Sequence, residues 1–186
     1  QLTLSEHAER LSEHIQIDYP EDITGPVPAV IMMSGCGGVR QIQADYSTVA
    51  NEIGVAAVTV DSFAARGIGR MGARLGVCTG FRMRGQERAG DIYAALHVLR
   101  QDPRIDPDRV SVIGWSHGAW AMMDAMGYAV EDIAPPGLEA PLPQPELQGV
   151  RGMILVYPFC GFPTRSRLTP PVADFPVEAW LAEKDR

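Results

Sequence analysis

The chain has 186 residues, of which 46% are hydrophobic and 21% are charged, and its formal net charge is −7 at pH 7. This length predicts one domain over residues 1–186 with a substantial core. The acidic balance argues against nucleic acid and anionic membrane surfaces as partners, and no apolar run reaches the roughly 20 residues that a membrane-spanning helix needs.

Strand-like and helix-like patterns alternate along the chain after a polar stretch over 1–14. The pattern predicts strands over 15–19, 29–33, 55–60, 110–113, 152–157 and 177–182, and helices over 46–53, 87–100 and 119–126. Two segments are predicted to be irregular: 64–86, which is rich in glycine and arginine, and 131–149, which is rich in proline. The alternation predicts an α/β fold, with a mostly parallel central sheet between two layers of helices.

A Gly-x-Ser-x-Gly sequence at 114–118 lies between a β-branched run and a helix-like run. This order predicts a sharp turn from strand to helix with Ser116 at its apex. Gly114 and Gly118 suit such a turn because a Cβ at either position would collide with neighbouring chain. The first N–H groups of the helix would then point at the serine hydroxyl, which is the arrangement of a nucleophile beside an oxyanion site. The alternative is a turn of small residues that serves packing alone.

Several strand ends, together with this turn, resemble the α/β-hydrolases and, more narrowly, the dienelactone hydrolase family. The matching stretches are 34–38, 61–67, 88–96, 114–118 and 180–185. The resemblance implies an α/β-hydrolase fold and hydrolysis of an ester or lactone. The dienelactone hydrolases proper carry a cysteine nucleophile where this chain has Ser116, so their substrate is not carried over.

The resemblance also implies roles for individual residues. The backbone N–H groups of His117 and Cys36 are expected to form the oxyanion hole, and Asp185 is expected to be the catalytic acid. Arg66 is the first candidate to bind an anionic group of the substrate, because arginine pairs with carboxylates in a bidentate manner. The alternatives are a solvated carboxylate at Asp185, with Asp61 or Asp174 as the acid, and solvated or ion-paired arginines.

A serine hydroxyl needs an adjacent base, which is normally a histidine oriented by a carboxylate. His7 and His14 lie in the polar N-terminal stretch, His97 lies on a predicted helix, and the side chain of His117 is expected to point away from Ser116. In the family order, the histidine follows the acid. We therefore expect the base beyond Arg186, in a C-terminal helix, strand and histidine loop that this sequence lacks.

Cys36, Cys78 and Cys160 have no metal-ligand spacing, and one disulfide with one free thiol stays open. The cytoplasm is the default location, with secretion or the periplasm as alternatives. No metal or organic cofactor is implied. The sequence thus predicts a serine hydrolase that cleaves a small-molecule carboxylic ester or lactone through an acyl-enzyme intermediate. A peptidase or thioesterase on the same scaffold and a non-catalytic binding protein are the alternatives.

Overall fold

A six-stranded sheet forms the centre of the molecule in a computed structural model that describes residues 1–142 and 147–182. The strands are β1 (Ile15–Asp18), β2 (Val27–Met33), β3 (Ala56–Val60), β4 (Ile105–Trp115), β5 (Val150–Val156) and β6 (Val177–Trp180). Their order across the sheet is β1-β3-β2-β4-β5-β6. All neighbours are parallel except β1, which pairs antiparallel to β3 at one edge. The predicted mostly parallel sheet is confirmed.

Helices cover both faces of this sheet. They are α1 (Leu4–Ser12), α2 (Gln41–Glu52), the single turn α3 (Arg70–Gly72), α4 (Gly85–Leu99) and α5 (His117–Glu131). Alternate residues of β2 show the two faces: Ile31 and Met33 pack with α1, α4 and α5, whereas Met32 packs with Ala50 of α2. Residues on a strand point alternately to opposite faces, so the buried apolar run of β2 serves both helical layers. The predicted three-layer arrangement is confirmed.

Helix α1 was not predicted, although its N-terminal signal is present in the sequence. The Thr3 hydroxyl accepts a hydrogen bond from the Glu6 N–H at 3.2 Å, and the Glu6 carboxylate accepts one from the Thr3 N–H at 2.8 Å. This reciprocal pair is a capping box. Leu4, Ala8 and Leu11 are buried in the main core, and packing of this apolar face stabilises a helix that is otherwise polar.

The other boundaries differ from the sequence prediction by a few residues. Helix α2 begins at Gln41 instead of position 46, and α5 runs over His117–Glu131 instead of 119–126. Before α4, the segment 64–86 contains only short helical pieces, a 3₁₀ turn at Ala64–Arg66, α3 and a π-helix at Ala73–Val77, in line with the predicted irregular stretch. It has a small core of its own around Phe63, Val77 and Met83.

A disulfide joins Cys36, in the loop after β2, to Cys78, in the segment 64–86, and Cys160 is a free, exposed thiol. The disulfide resolves the alternative that the sequence left open. It ties an otherwise irregular segment to the C-terminal edge of the sheet. Each helix within 1–142 and 147–182 is too short or too polar to cross a membrane.

Candidate active site

Ser116 lies at a sharp turn between β4 and α5. Its φ is 50° and its ψ is −105°, a backbone conformation that a residue with a side chain rarely adopts and that costs roughly 1–3 kcal/mol. The Ser116 N–H donates to the Val156 carbonyl at 2.9 Å, and its carbonyl accepts from the Trp120 N–H at 2.9 Å. Hydrogen bonds from both neighbouring elements therefore hold the strained turn in place.

The two glycines of the turn lie against neighbouring chain. A Cβ added at Gly118 would lie 2.1 Å from the Met33 carbonyl oxygen, and one added at Gly114 would lie 2.5 Å from the Met122 sulfur. The start of α5 thus packs directly on the end of β2. This close approach is the structural reason for glycine on either side of Ser116, as the sequence pattern predicts.

Ser116 is half-buried and borders a cavity of about 310 Å³. The cavity walls are mostly aromatic or apolar. They are formed by Val77, Phe81, Trp120, Phe159, Phe162 and Pro163, together with the Cys36–Cys78 disulfide. Thr79 and Arg84 add polar groups to the lining. A molecule in this cavity would lie against the serine with most of its contacts to apolar groups.

His117 and Cys36, the two residues expected to supply oxyanion N–H groups, border the same cavity as Ser116. His117 is the first residue of α5, where helix N–H groups lack intrahelical partners. The loop that carries Cys36 passes close to the nucleophile, since a Cβ added at Gly35 would lie 3.8 Å from the Ser116 Cβ. The fold therefore brings the predicted nucleophile and both predicted donor residues to one place.

The imidazole of His117 faces the protein interior. Its side chain is buried, Nδ1 lies 3.2 Å from an Arg88 Nη, and Nε2 lies 3.2 Å from the Met83 carbonyl oxygen. Arginine can only donate, so Nδ1 accepts and the Nε2–H donates to the carbonyl. Burial and the Arg88 charge lower the pKa of His117 to about 3. The ring is a neutral packing group held away from the serine, as expected from the turn.

This buried histidine predicts a stability change with pH. Its pKa is lower in the folded state than in the unfolded chain, so its contribution is complete above about pH 6.5 and is lost as the pH falls toward 3. We expect the free energy of unfolding of the wild type to fall relative to that of His117→Gln by up to about 1.4 kcal/mol per pH unit below 6.5. Urea denaturation of both proteins at pH 7.5, 6.0 and 4.5 measures this difference. A difference that does not change with pH would contradict the neutral ring.

The other three histidines lie away from Ser116. His7, which was expected at the surface, has a side chain only 15% exposed, and its Nε2 lies 2.8 Å from the Asp91 carboxylate. His97 bonds to Gln101 on the exposed side of α4, and His14 lies before β1. No hydrogen bond joins any of the four imidazoles to the Ser116 hydroxyl in the described part of the chain.

Arg66 lies in an ion pair within the protein. Its two Nη atoms donate to the two carboxylate oxygens of Asp91 at 3.0 and 2.9 Å, and Nη1 also donates to the Ser62 carbonyl. Arg66 does not border the cavity at Ser116. Arg66 is therefore ion-paired within the protein, which was the alternative to substrate binding. The buried Asp91 carboxylate needs a compensating charge, and Arg66 supplies it.

Asp185 lies outside the described residues, so its predicted role as the acid stays a prediction. Of the two substitutes, Asp61 accepts hydrogen bonds from the Phe63 and Ala64 N–H groups and caps a turn. Asp174 is exposed and does not border the cavity.

Sequence reasoning missed the buried polar residues on α4. Arg88 and Asp91 are both fully buried, three residues apart on a helix whose other buried residues are apolar or small. Arg88 and Asp91 lie one turn apart on the apolar face of the predicted helix. A charged pair in that position could have indicated a buried polar contact. Their partners come from distant segments, which the pattern does not show.

Compared by sequence, the chain matches no protein-family model and no curated protein. Solved structures do match its fold. The Est1E protein from Butyrivibrio proteoclasticus with bound ferulic acid aligns with a TM-score of 0.52 and 20% identity, covering 77% of this chain and 48% of that one. Esterase 2 from Thermogutta terrifontis, phosphonylated by sarin, aligns with a TM-score of 0.53 and 18% identity, covering 77% and 48%.

A dienelactone hydrolase-like promiscuous phosphotriesterase from metagenomic libraries aligns with a TM-score of 0.50 and 16% identity, covering 77% of this chain and 53% of that one. The chain thus spans about half the length of these structures. At these identities the likeness concerns the fold. The strand order, the turn at Ser116 and the structural matches together show that this chain has the α/β-hydrolase fold, in the form shared with esterases and dienelactone hydrolase-like proteins.

Proposed function

We propose that this protein is a serine hydrolase that cleaves a carboxylic ester or lactone through an acyl-enzyme intermediate. The observation that carries the proposal is the strained turn that holds Ser116 at the edge of an apolar cavity, beside His117 and Cys36. A strained backbone at a cavity is typical of a functional site, because packing elsewhere must hold it.

In this mechanism the Ser116 hydroxyl attacks the substrate carbonyl carbon as a base removes its proton. The carbonyl π electrons move to oxygen, and the N–H groups of His117 and Cys36 stabilise the resulting oxyanion. Collapse of the tetrahedral intermediate expels the alkoxide, which takes the proton back from the base. Water then attacks the acyl-enzyme by the same route and releases the carboxylic acid.

We assign the base to a histidine outside the four in this sequence, oriented by Asp185. The four histidines present have other partners or lie away from the serine. The structural relatives are about twice as long as the part they share with this chain, which leaves room for such a residue in a longer protein.

The aromatic cavity lining suggests what kind of acyl group the substrate carries. Trp120 and Phe159 pack at 5.2 Å between ring centroids, and Phe81 and Phe162 add two largely exposed rings. An ester with an aryl or bulky apolar acyl group would bury its surface against these rings. Est1E with bound ferulic acid is a relative that holds an aromatic acid on the same fold.

A fluorophosphonate probe, which phosphonylates activated serines, tests the proposal in the full-length protein. We expect the wild type to be labelled and Ser116→Ala to stay unlabelled, as judged by intact mass. Ser111→Ala is the matched control, because Ser111 lies exposed on the same strand, β4, outside the cavity. It should be labelled like the wild type. An unlabelled wild type would favour the non-catalytic binding protein, and a labelled Ser116→Ala would refute Ser116 as the nucleophile.

A further inference from the structure

Arg88 is a buried arginine for which residues 1–142 and 147–182 supply no carboxylate hydrogen-bond partner. Its side chain is fully buried on α4, and the ion pairs among the described residues do not include it. Buried arginines are rare unless they are paired, since removing a charge from water is costly. A protein that keeps such a charge without a counter-ion must offset the cost by other contacts.

Those contacts come from three chain segments at one end of the sheet. Nε–H donates to the Ser62 hydroxyl at 3.1 Å, and one Nη donates both to the Ser34 carbonyl at 2.8 Å and to Nδ1 of His117 at 3.2 Å. The other Nη lies 3.5 Å from the Ser34 hydroxyl, and the guanidinium carbon lies 4.8 Å from the centre of the Phe63 ring. One side chain therefore joins the chain segments that follow β2, β3 and β4.

Two of these segments carry the proposed oxyanion donors. Ser34 lies two residues before Cys36, and His117 is itself the second donor residue. The Arg88 fork contacts a carbonyl in the first segment and the imidazole in the second, so it holds them at a fixed separation. Oxyanion donors act through such preorganisation, because their positions are set before charge develops on the substrate.

Within the described part of the chain, no carboxylate forms a direct ion pair with Arg88. The nearby buried carboxylate of Asp91 is bound by Arg66 and His7. Burial lowers the pKa of Arg88 to about 10, and the charge of Asp91 partly opposes this effect, so the guanidinium stays protonated near neutral pH. The Arg88 charge lies in a medium of low dielectric constant and contacts both donor segments. It therefore favours the negative charge of a substrate oxyanion bound at the donor N–H groups.

We propose that Arg88 is a positioning residue of the oxyanion site, which fixes the two donor segments and supplies a buried positive charge that favours the tetrahedral oxyanion. The inference rests on the proposed function. Arg88 forms no bond to the substrate and keeps its protons throughout. Its effect should therefore fall on the transition state and on anionic tetrahedral adducts, and much less on the binding of the neutral ester.

The experiment compares Arg88→Gln, Arg88→Lys and the control Arg100→Gln in the full-length protein, with a chromogenic aryl ester and with an alkylboronic acid, which forms an anionic tetrahedral adduct on serine. We expect kcat of Arg88→Gln to fall by about 100-fold or more, as when one oxyanion donor is removed, with KM changed less than about threefold. Its inhibition constant for the boronic acid should rise in parallel with the loss of kcat.

Arg88→Lys keeps the charge without the planar guanidinium and should lose about tenfold in kcat. Arg100, near the C-terminal end of the same helix, donates to the Gln148 carbonyl, and its variant should behave like the wild type.

Thermal denaturation first shows which variants are folded at the assay temperature. If Arg88→Gln is not folded, Arg88→Lys decides by the same split between kcat and KM. A folded Arg88 variant whose kcat stays within threefold of the wild type, or whose affinity for the boronic acid does not fall in step with kcat, would overturn the inference. Absence of turnover and of boronic acid binding in the wild type would instead refute the proposed function on which the inference rests.

Discussion

Gly118→Ala is expected to destabilise the fold by more than about 3 kcal/mol, the upper end of ordinary overpacking. The new Cβ would lie 2.1 Å from the Met33 carbonyl oxygen, 2.7 Å from the Met33 carbonyl carbon and 2.8 Å from the Ser34 carbonyl oxygen. All three are backbone atoms at the end of β2, so a rotamer change cannot relieve the collision. The start of α5 must move away from the sheet, and urea denaturation measures the loss.

Gly25→Ala is the matched control for this prediction. A Cβ at Gly25 meets nothing within 4 Å, and its backbone is not in the left-handed region. Its free energy of unfolding should equal that of the wild type or exceed it by a few tenths of a kcal/mol, because alanine has fewer unfolded conformations than glycine. A loss at Gly118 no greater than that at Gly25 would contradict the close contact between α5 and β2.

Asp91→Ala is expected to cost about 3–5 kcal/mol, the usual result of removing one partner of a buried ion pair. Burial alone would raise the pKa of Asp91, but the His7 hydrogen bond and the Arg66 charge and hydrogen bonds more than offset it, and the pKa is about 2. The variant leaves the Arg66 guanidinium without its counter-ion. It also removes the hydrogen bond between His7 of α1 and Asp91 of α4. Urea denaturation at neutral pH, where the carboxylate is fully charged, measures the loss.

Asp106→Ala is a control for the loss of an ion pair at the surface. Asp106 pairs with Arg109 three residues away, and both side chains are partly exposed. Solvent screens such exposed pairs, so the loss of stability at Asp106 should be small. A cost at Asp91 similar to that at Asp106 would contradict a stabilising role for the buried Asp91 carboxylate.

The fold could be predicted from the sequence because its strands carry strong local signals. The runs that became β2 and β3 are apolar except for Thr59, which is typical of strands covered on both faces. The turn at Ser116 was recognisable because glycine is required on both sides of it. Helix α1 was missed because its stability depends on packing against α4, and that contact is not visible in the polar stretch 1–14.

The site was less predictable wherever it depends on pairs that are distant in the sequence. Cys36 and Cys78 are 42 residues apart, and Arg66 and Asp91 are 25 residues apart. Spacing along the chain gives no sign of either pairing. Arg88 was missed for the same reason, since its contacts at Ser34, Ser62 and His117 meet only when three strands end at one edge of the sheet.

The cystine at positions 36 and 78 links the cavity beside Ser116 to the redox state of its surroundings. Under oxidising conditions the disulfide keeps the loop after β2 covalently joined to the glycine-rich segment on the other side of the cavity. A dithiol reductant would reduce this disulfide to two thiols. The loop after β2 and the segment 64–86 could then move independently of each other. Ligand binding at this cavity should therefore be measured both with and without reductant.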